Sequence, residues 1–223
     1  MKARQAGFTL VEIAIVLVII GLLLGGILKG QEMITQAKIK NVIADFSGVS
    51  AAYHGYQDRY RAIPGDDPNA AARWAVAPAA TSGNGNGVVA GAYNSANAAD
   101  ESRLWWDHLR RAGFVSGNGT QQPFNALTGQ IGVQTGDGQA AVGPTMLNAA
   151  GGNGFVGLIM CSANLPDKIA IAVDTQMDDG ASNLGTVRAL LQAAPNPAIG
   201  AAQVATAAYA ETSTNIYTIC RSL

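Results

Sequence analysis

Gly7-Phe8-Thr9-Leu10-Val11-Glu12-Ile13-Ala14-Ile15-Val16-Leu17-Val18-Ile19-Ile20 opens an apolar run that continues to Leu28 and holds one charged side chain, Glu12. About 20 such residues suffice for a helix to cross the roughly 30 Å hydrocarbon core of a bilayer. The run therefore reads as a membrane span with one anomaly. A carboxylate inside such a helix is costly and normally persists where something pairs with it. No basic residue stands a turn or two from Glu12 within the run. A cut between Gly7 and Phe8 would create an α-amino group, on this chain or a neighbour, of the right sign to pair with it.

Working outward, Lys2 and Arg4 precede the run and favour an N-terminus on the cytoplasmic side. A secretory signal peptide would follow its apolar stretch with a small-residue cleavage site. Here the run leads into an amphipathic segment instead. An ordinary single-span anchor in the same orientation is the competing reading, and it leaves Glu12 without a use.

The basic leader of residues 1–7, its final glycine, Phe8-Thr9-Leu10 and Glu12 resemble the class III signal of type IV pilins and of the pseudopilins of type II secretion. The resemblance implies cleavage after Gly7 by a prepilin peptidase, N-methylation of Phe8, and pairing of Glu12 with the Phe8 amine of a neighbouring subunit. It also implies an assembly ATPase and a platform protein as partners. The chain would sit in the inner membrane by its helix with a periplasmic head, then enter a surface filament or a periplasmic pseudopilus. The expected fold is α+β, a long N-terminal helix, transmembrane then amphipathic, packed on a small antiparallel sheet. The expected organisation is leader 1–7, filament-core helix 8–30, amphipathic helix 31–62 and head 63–223. A pilus subunit is the first reading, a type II secretion pseudopilin the second. A membrane-tethered binding module that does not polymerise is the alternative from another class, and no enzymatic role is expected.

With 223 residues the chain suits one head domain on a helix rather than two domains. Its net charge is −1, and the leader carries two positive charges, so removal leaves −3. No basic excess points to nucleic acid. Cys161 and Cys220 would lie outside the inner membrane, where oxidation favours pairing them; two buried free thiols are the alternative. Pilins often close the C-terminal region with such a bridge, so the resemblance implies a disulfide.

Gly21 and Gly25 stand four apart, as do Gly26 and Gly30, a spacing that lets helix backbones approach in lipid. Gly25-Gly26 is also a candidate soft point. Beyond Lys29 the apolar residues become a stripe, Ile39, Val42, Ile43, Phe46, Val49, Tyr53, Tyr56 and Tyr60, at helical spacing. Lys38, Lys40, Asp45, Asp58 and Arg59 fall off it, as on solvated or intersubunit faces. No breaker interrupts residues 8–60, so one helix of roughly 80 Å is expected, ended by Ile63-Pro64-Gly65.

Residues 66–99 read as a surface loop around Gly83-Asn84-Gly85-Asn86-Gly87, which lacks the Lys-Ser/Thr of a phosphate-binding loop. A short amphipathic helix is expected over 100–112, with its tryptophans more often core than ligand platform. Residues 116–152 read as loop; Asn118-Gly119-Thr120 matches a short glycosylation pattern. Strands are expected at 155–161, 168–174 and 216–220. His54 and His108 belong to no nucleophile motif, and the cysteines lack zinc spacing. Asp174, Asp178 and Asp179 cluster in a run whose hard oxygens suit calcium, although the spacing is not that of an EF-hand; a solvated acidic turn is the alternative.

Overall fold

The computed structural model describes residues 9–135, 154–200 and 205–223. The chain divides into two compact units, Met1–Lys38 and Ile39–Leu223. Helix α1 spans Leu10–Tyr60 and contributes to both.

In the first unit every described side chain up to Lys29 is exposed. Leu10, Val18, Leu22 and Leu28 each leave more than 60% of their surface open, so this apolar face has no cover among the described residues. The helix is long and apolar enough to cross a membrane. A run this rich in Val and Ile is a mediocre helix former in water. Lipid reverses the preference, because only intrahelical bonding satisfies the backbone there. The helix continues without a break through Gly25-Gly26.

In the second unit the stripe residues Ile39, Val42, Phe46, Val49 and Tyr56 are buried, joined by Ala52; Ile43, Tyr53 and Tyr60 pack on the same cluster. Arg61 takes a left-handed conformation just past Tyr60, and Gly65 follows at φ 82°. Gly65 is required on two counts: its φ, and the Glu101 carbonyl oxygen that an added Cβ would meet at 2.3 Å. The chain then forms α2 (Ala70–Arg73) and α3 (Glu101–Arg111). Strand β1 (Ile131–Thr135) and strand β2 (Leu158–Pro166) follow, then α4 (Asp167–Met177), β3 (Val187–Leu191) and β4 (Ile216–Ser222).

The four strands form one antiparallel sheet in the order β1-β2-β4-β3. Alternation divides its two faces, as strand geometry demands. Met160, Leu165, Tyr217 and Ile219 join the α1 stripe, Trp105, Trp106 and Leu109 in the larger core. Ile159, Cys161, Ala163 and Cys220 face the other way, under Tyr93, Phe155 and Ile199. The architecture is the expected α+β, pilin-like arrangement of a long apolar helix and a small antiparallel sheet.

Several local expectations are corrected. Residues 168–174 are not a strand but lie in α4; Ile169, Ala170, Val173 and Asp174 are buried at helical spacing. The strand expected at 155–161 instead spans Leu158–Pro166, so Cys161 sits mid-strand. Strands β1 and β3 arise where no strand was expected, β1 inside the stretch read as loop; residues 136–152 of that stretch lie outside the described residues. The 66–99 segment is more than a surface loop, since Asp66, Asp67, Ala70, Val89 and Tyr93 are buried. Both α3 tryptophans are core.

Candidate functional site

Glu12 stands in the first turn of α1. Its Oε2 accepts hydrogen bonds from the Thr9 amide at 2.8 Å and the Thr9 hydroxyl at 2.7 Å, and the Glu12 amide donates to Thr9 Oγ1 at 3.3 Å. Thr9-Leu10-Val11-Glu12 is therefore a capping box, in which side chains at the helix start satisfy amides that have no intrahelical partner. The Thr-x-x-Glu spacing of Thr9 and Glu12 carries this signal in the sequence itself. It gives Glu12 a use within its own chain. The box engages Oε2 alone; Oε1 makes no hydrogen bond among the described residues. Gly7 and Phe8, the expected cleavage and methylation positions, lie outside the described residues. At Gly21, Gly25, Gly26 and Gly30 an added Cβ would meet nothing within 4 Å; at about 100° per residue Gly21 and Gly25 lie on one side of the helix and Gly26 and Gly30 on the other.

Cys161 and Cys220 form a disulfide, with both residues fully buried. They are Cα partners in the β2–β4 register, so the bond staples the two central strands of the sheet across the face opposite α1.

Asp174, Asp178 and Asp179 come together, with one carboxylate oxygen from each within 4.8 Å of the others. Asp174 lies on α4 rather than in a loop after a strand, and the other two follow the helix end. Asp178 Oδ2 accepts from the amides of Thr186 at 2.5 Å and Val187 at 3.0 Å, and Asp179 Oδ1 from Ala181 at 2.8 Å. Asp174 is fully buried; its Oδ2 accepts from the Tyr209 hydroxyl at 2.6 Å, while Oδ1 has no hydrogen-bond partner among the described residues. Burial pushes the Asp174 carboxyl above its ordinary range, and the negative charges of Asp179 and Asp178 add to this. The Tyr209 hydroxyl works against the shift, as does the nearby Gly180 amide, which makes no hydrogen bond of ordinary geometry to Oδ1. The C-terminal end of a helix is also electronegative, so three carboxylates there repel without a cation. Hard oxygens in this number fit part of a calcium shell, which takes six to eight.

The remaining polar clusters hold the fold. Asp66 accepts from the amides of Gly85, Asn86 and Gly87 at 2.6, 3.1 and 2.7 Å, so the glycine-rich run cradles a carboxylate of its own chain. Asp67 accepts from the Tyr56 hydroxyl at 2.6 Å and pairs with Arg73. His108 Nδ1 accepts from the Gly65 amide at 2.9 Å, which leaves Nε2 to donate to the Thr81 carbonyl at 2.8 Å. Burial lowers its pKa and favours this neutral form. With both nitrogens engaged, His108 is a bracket between two loop segments.

Residues 2–28 match the family model of the prokaryotic N-terminal methylation motif. No curated protein and no solved structure matches the chain. The motif is the prepilin-type signal of type IV pilins and pseudopilins, and the chain carries it in register with the apolar helix. It supports a pilin-like or pseudopilin precursor, a class processed by prepilin peptidase, and with the exposed apolar helix it supports membrane anchoring.

Proposed function

We propose that this chain is a structural subunit of a type IV pilus-like filament, cleaved after Gly7 and methylated on Phe8 before assembly. The observation that carries the reading is the apolar helix, uncovered among the described residues and headed by Glu12, whose Oε1 makes no hydrogen bond among them. In the bilayer, lipid covers that helix. In a filament, neighbouring helices replace the lipid, with Gly21, Gly25, Gly26 and Gly30 admitting close approach. Glu12 pairs with the Phe8 amine of the adjacent copy and sets the register. The head, from its α1 stripe to the disulfide-stapled sheet, supplies the filament surface.

Intact-mass analysis of sheared surface filaments and of washed membranes tests this. An abundant sheared species lacking residues 1–7 and carrying one added methyl supports the pilus subunit. A processed species confined to membranes supports the pseudopilin instead. A chain retaining residues 1–7 in cells with active prepilin peptidase defeats both and leaves the tethered module.

The acidic cluster is proposed to bind calcium, on the strength of the unpartnered buried oxygen of Asp174 beside two further carboxylates. Asp174, Asp178 and Asp179 would hold the ion and fix the end of α4 to the start of β3. Calorimetric titration with calcium alone is the check: saturable heat that Asp179→Asn weakens supports the site, and no heat at millimolar calcium removes it.

A further inference from the structure

Asp45 stands on α1 with no hydrogen bond or ion pair among the described residues, yet it is half-buried, and burial pushes its carboxyl above the usual range. It borders a groove of about 310 Å³ lined also by Gly48, Trp106, Phe114 and Phe124. Phe124 is 56% exposed and Phe114 is 37% exposed. An unpaired carboxylate beside open aromatic rings suits a lysine, whose methylene stem covers apolar surface while its ammonium meets the charge.

The chain itself carries a fitting lysine that it cannot deliver to its own groove. Lys40 is exposed and has no ion-pair partner among the described residues. It precedes Asp45 by five residues, about 140° around a helix turning about 100° per residue. Two parallel copies related by a screw present nearly opposite faces to each other, so Lys40 of one copy turns toward Asp45 of the next. The axial level agrees. A contact between Glu12 and a neighbour's Phe8 displaces the copies by about four residues, or roughly 6 Å. A step of about four residues along this part of α1 would set Asp45 opposite the neighbour's Asn41, one residue from Lys40. Lys38, by contrast, lies within about 20° of Asp45 on the same face and points away from the partner groove.

We infer that the groove beside Asp45 is an interface between copies of this chain, in which Asp45 pairs with Lys40 of the adjacent subunit and the lysine stem lies against Phe114 and Phe124. The inference rests on the filament reading. It adds a second register-setting pair, one that tunes which neighbour is accepted as well as holding it.

The test uses the full-length chain in cells that assemble it. Asp45→Cys combined with Lys40→Cys, treated with oxidant, is expected to give a ladder of disulfide-linked multimers in sheared filaments, since no free cysteine stands among the described residues to compete. Asp45→Cys with Lys38→Cys is expected to stay monomeric. As a second readout, Asp45→Lys and Lys40→Asp are each expected to lower filament yield about two- to fivefold, the worth of a partly exposed ion pair, and the double reversal to restore it. Filaments without a ladder, an equal ladder through Lys38→Cys, or a double reversal no better than the single variants overturns the inference while leaving the filament reading intact. Absence of filaments from the wild-type chain defeats the filament reading itself and the inference with it.

Discussion

Removing the disulfide is the perturbation whose size follows most directly from the structure. Cys161 and Cys220 are 59 residues apart in sequence, and the bond closes that loop in the unfolded chain. In the chain-entropy model a loop of this length is worth about 4 kcal/mol. The whole stability of an ordinary domain is about 5 to 15 kcal/mol, so the bond is a large share of it. Cys161→Ala with Cys220→Ala removes the link without placing a hydroxyl in the dry layer under Tyr93, Phe155 and Ile199. The assay is urea unfolding of residues 39–223, followed by fluorescence of the buried Trp105 and Trp106. With a urea slope of about 2 kcal/mol/M, the midpoint is expected to fall by about 2 M. The slope itself should rise, because an uncrosslinked unfolded chain exposes more surface. A fall under about 0.5 M with unchanged slope would refute the entropic argument, showing that the unfolded chain is no freer without the bond.

Other outcomes are equally definite. Glu12→Gln retains an acceptor for the capping box but loses the charge, whereas Glu12→Val loses both; both are expected to be processed normally and to be absent from filaments, and wild-type filament yield from Glu12→Gln would show that the cap alone explains the residue. His108 is buried neutral with its pKa below the unfolded value, so its contribution to stability is complete above about pH 6.5 and declines as pH falls below it, by no more than about 1.4 kcal/mol per pH unit. Thermal unfolding of the head between pH 7 and 5 should therefore lose less stability in His108→Gln than in the wild type, and parallel profiles would count against the bracket. Gly65→Ala, forced to φ 82° with its Cβ 2.3 Å from the Glu101 carbonyl oxygen, should cost more than about 1 kcal/mol in the same measurement.

What could be read from the sequence depended on how local the cause was. The signal around Gly7, Phe8 and Glu12 and the stripe from Ile39 to Tyr60 declare themselves by register and period, and the structure returns the stripe as core. The 168–174 run misled because Ile169-Ala170-Ile171-Ala172-Val173 alternates large and small residues like a strand. Its helix is decided instead by which residues face the core, at three- and four-residue steps. Strands β1 and β3 are five residues each: β1 alternates Ile131 and Val133 with Gly132 and Gln134 inside a Gly-, Gln- and Asn-rich stretch, Leu190 breaks the alternation of Val187 and Ala189 in β3, and pairing with β2 and β4 holds both in place. The acidic cluster was legible as composition, but the features that make it a candidate site were not. Tyr209 reaches Asp174 from 35 residues away, and the unpartnered Oδ1 exists only once α4 is packed.

Glu12 shows how one side chain carries two requirements without conflict. A subunit waiting in the membrane must keep its carboxylate satisfied, since an unpaired one is costly at that depth. Thr9 does this through Oε2, using donors that the helix start would otherwise leave open. In the filament proposed above, the same carboxylate is offered to a neighbour's amine, and Oε1 is not engaged by the box. On that proposal, incorporation would add a bond without breaking the one already made, so the barrier to moving Glu12 from lipid to filament need not include loss of the cap. The spacing of Thr9 and Glu12 matters for the same reason. Three residues apart, they close the box at the first turn of α1, with the Thr9 amide one residue after the proposed new amine in sequence.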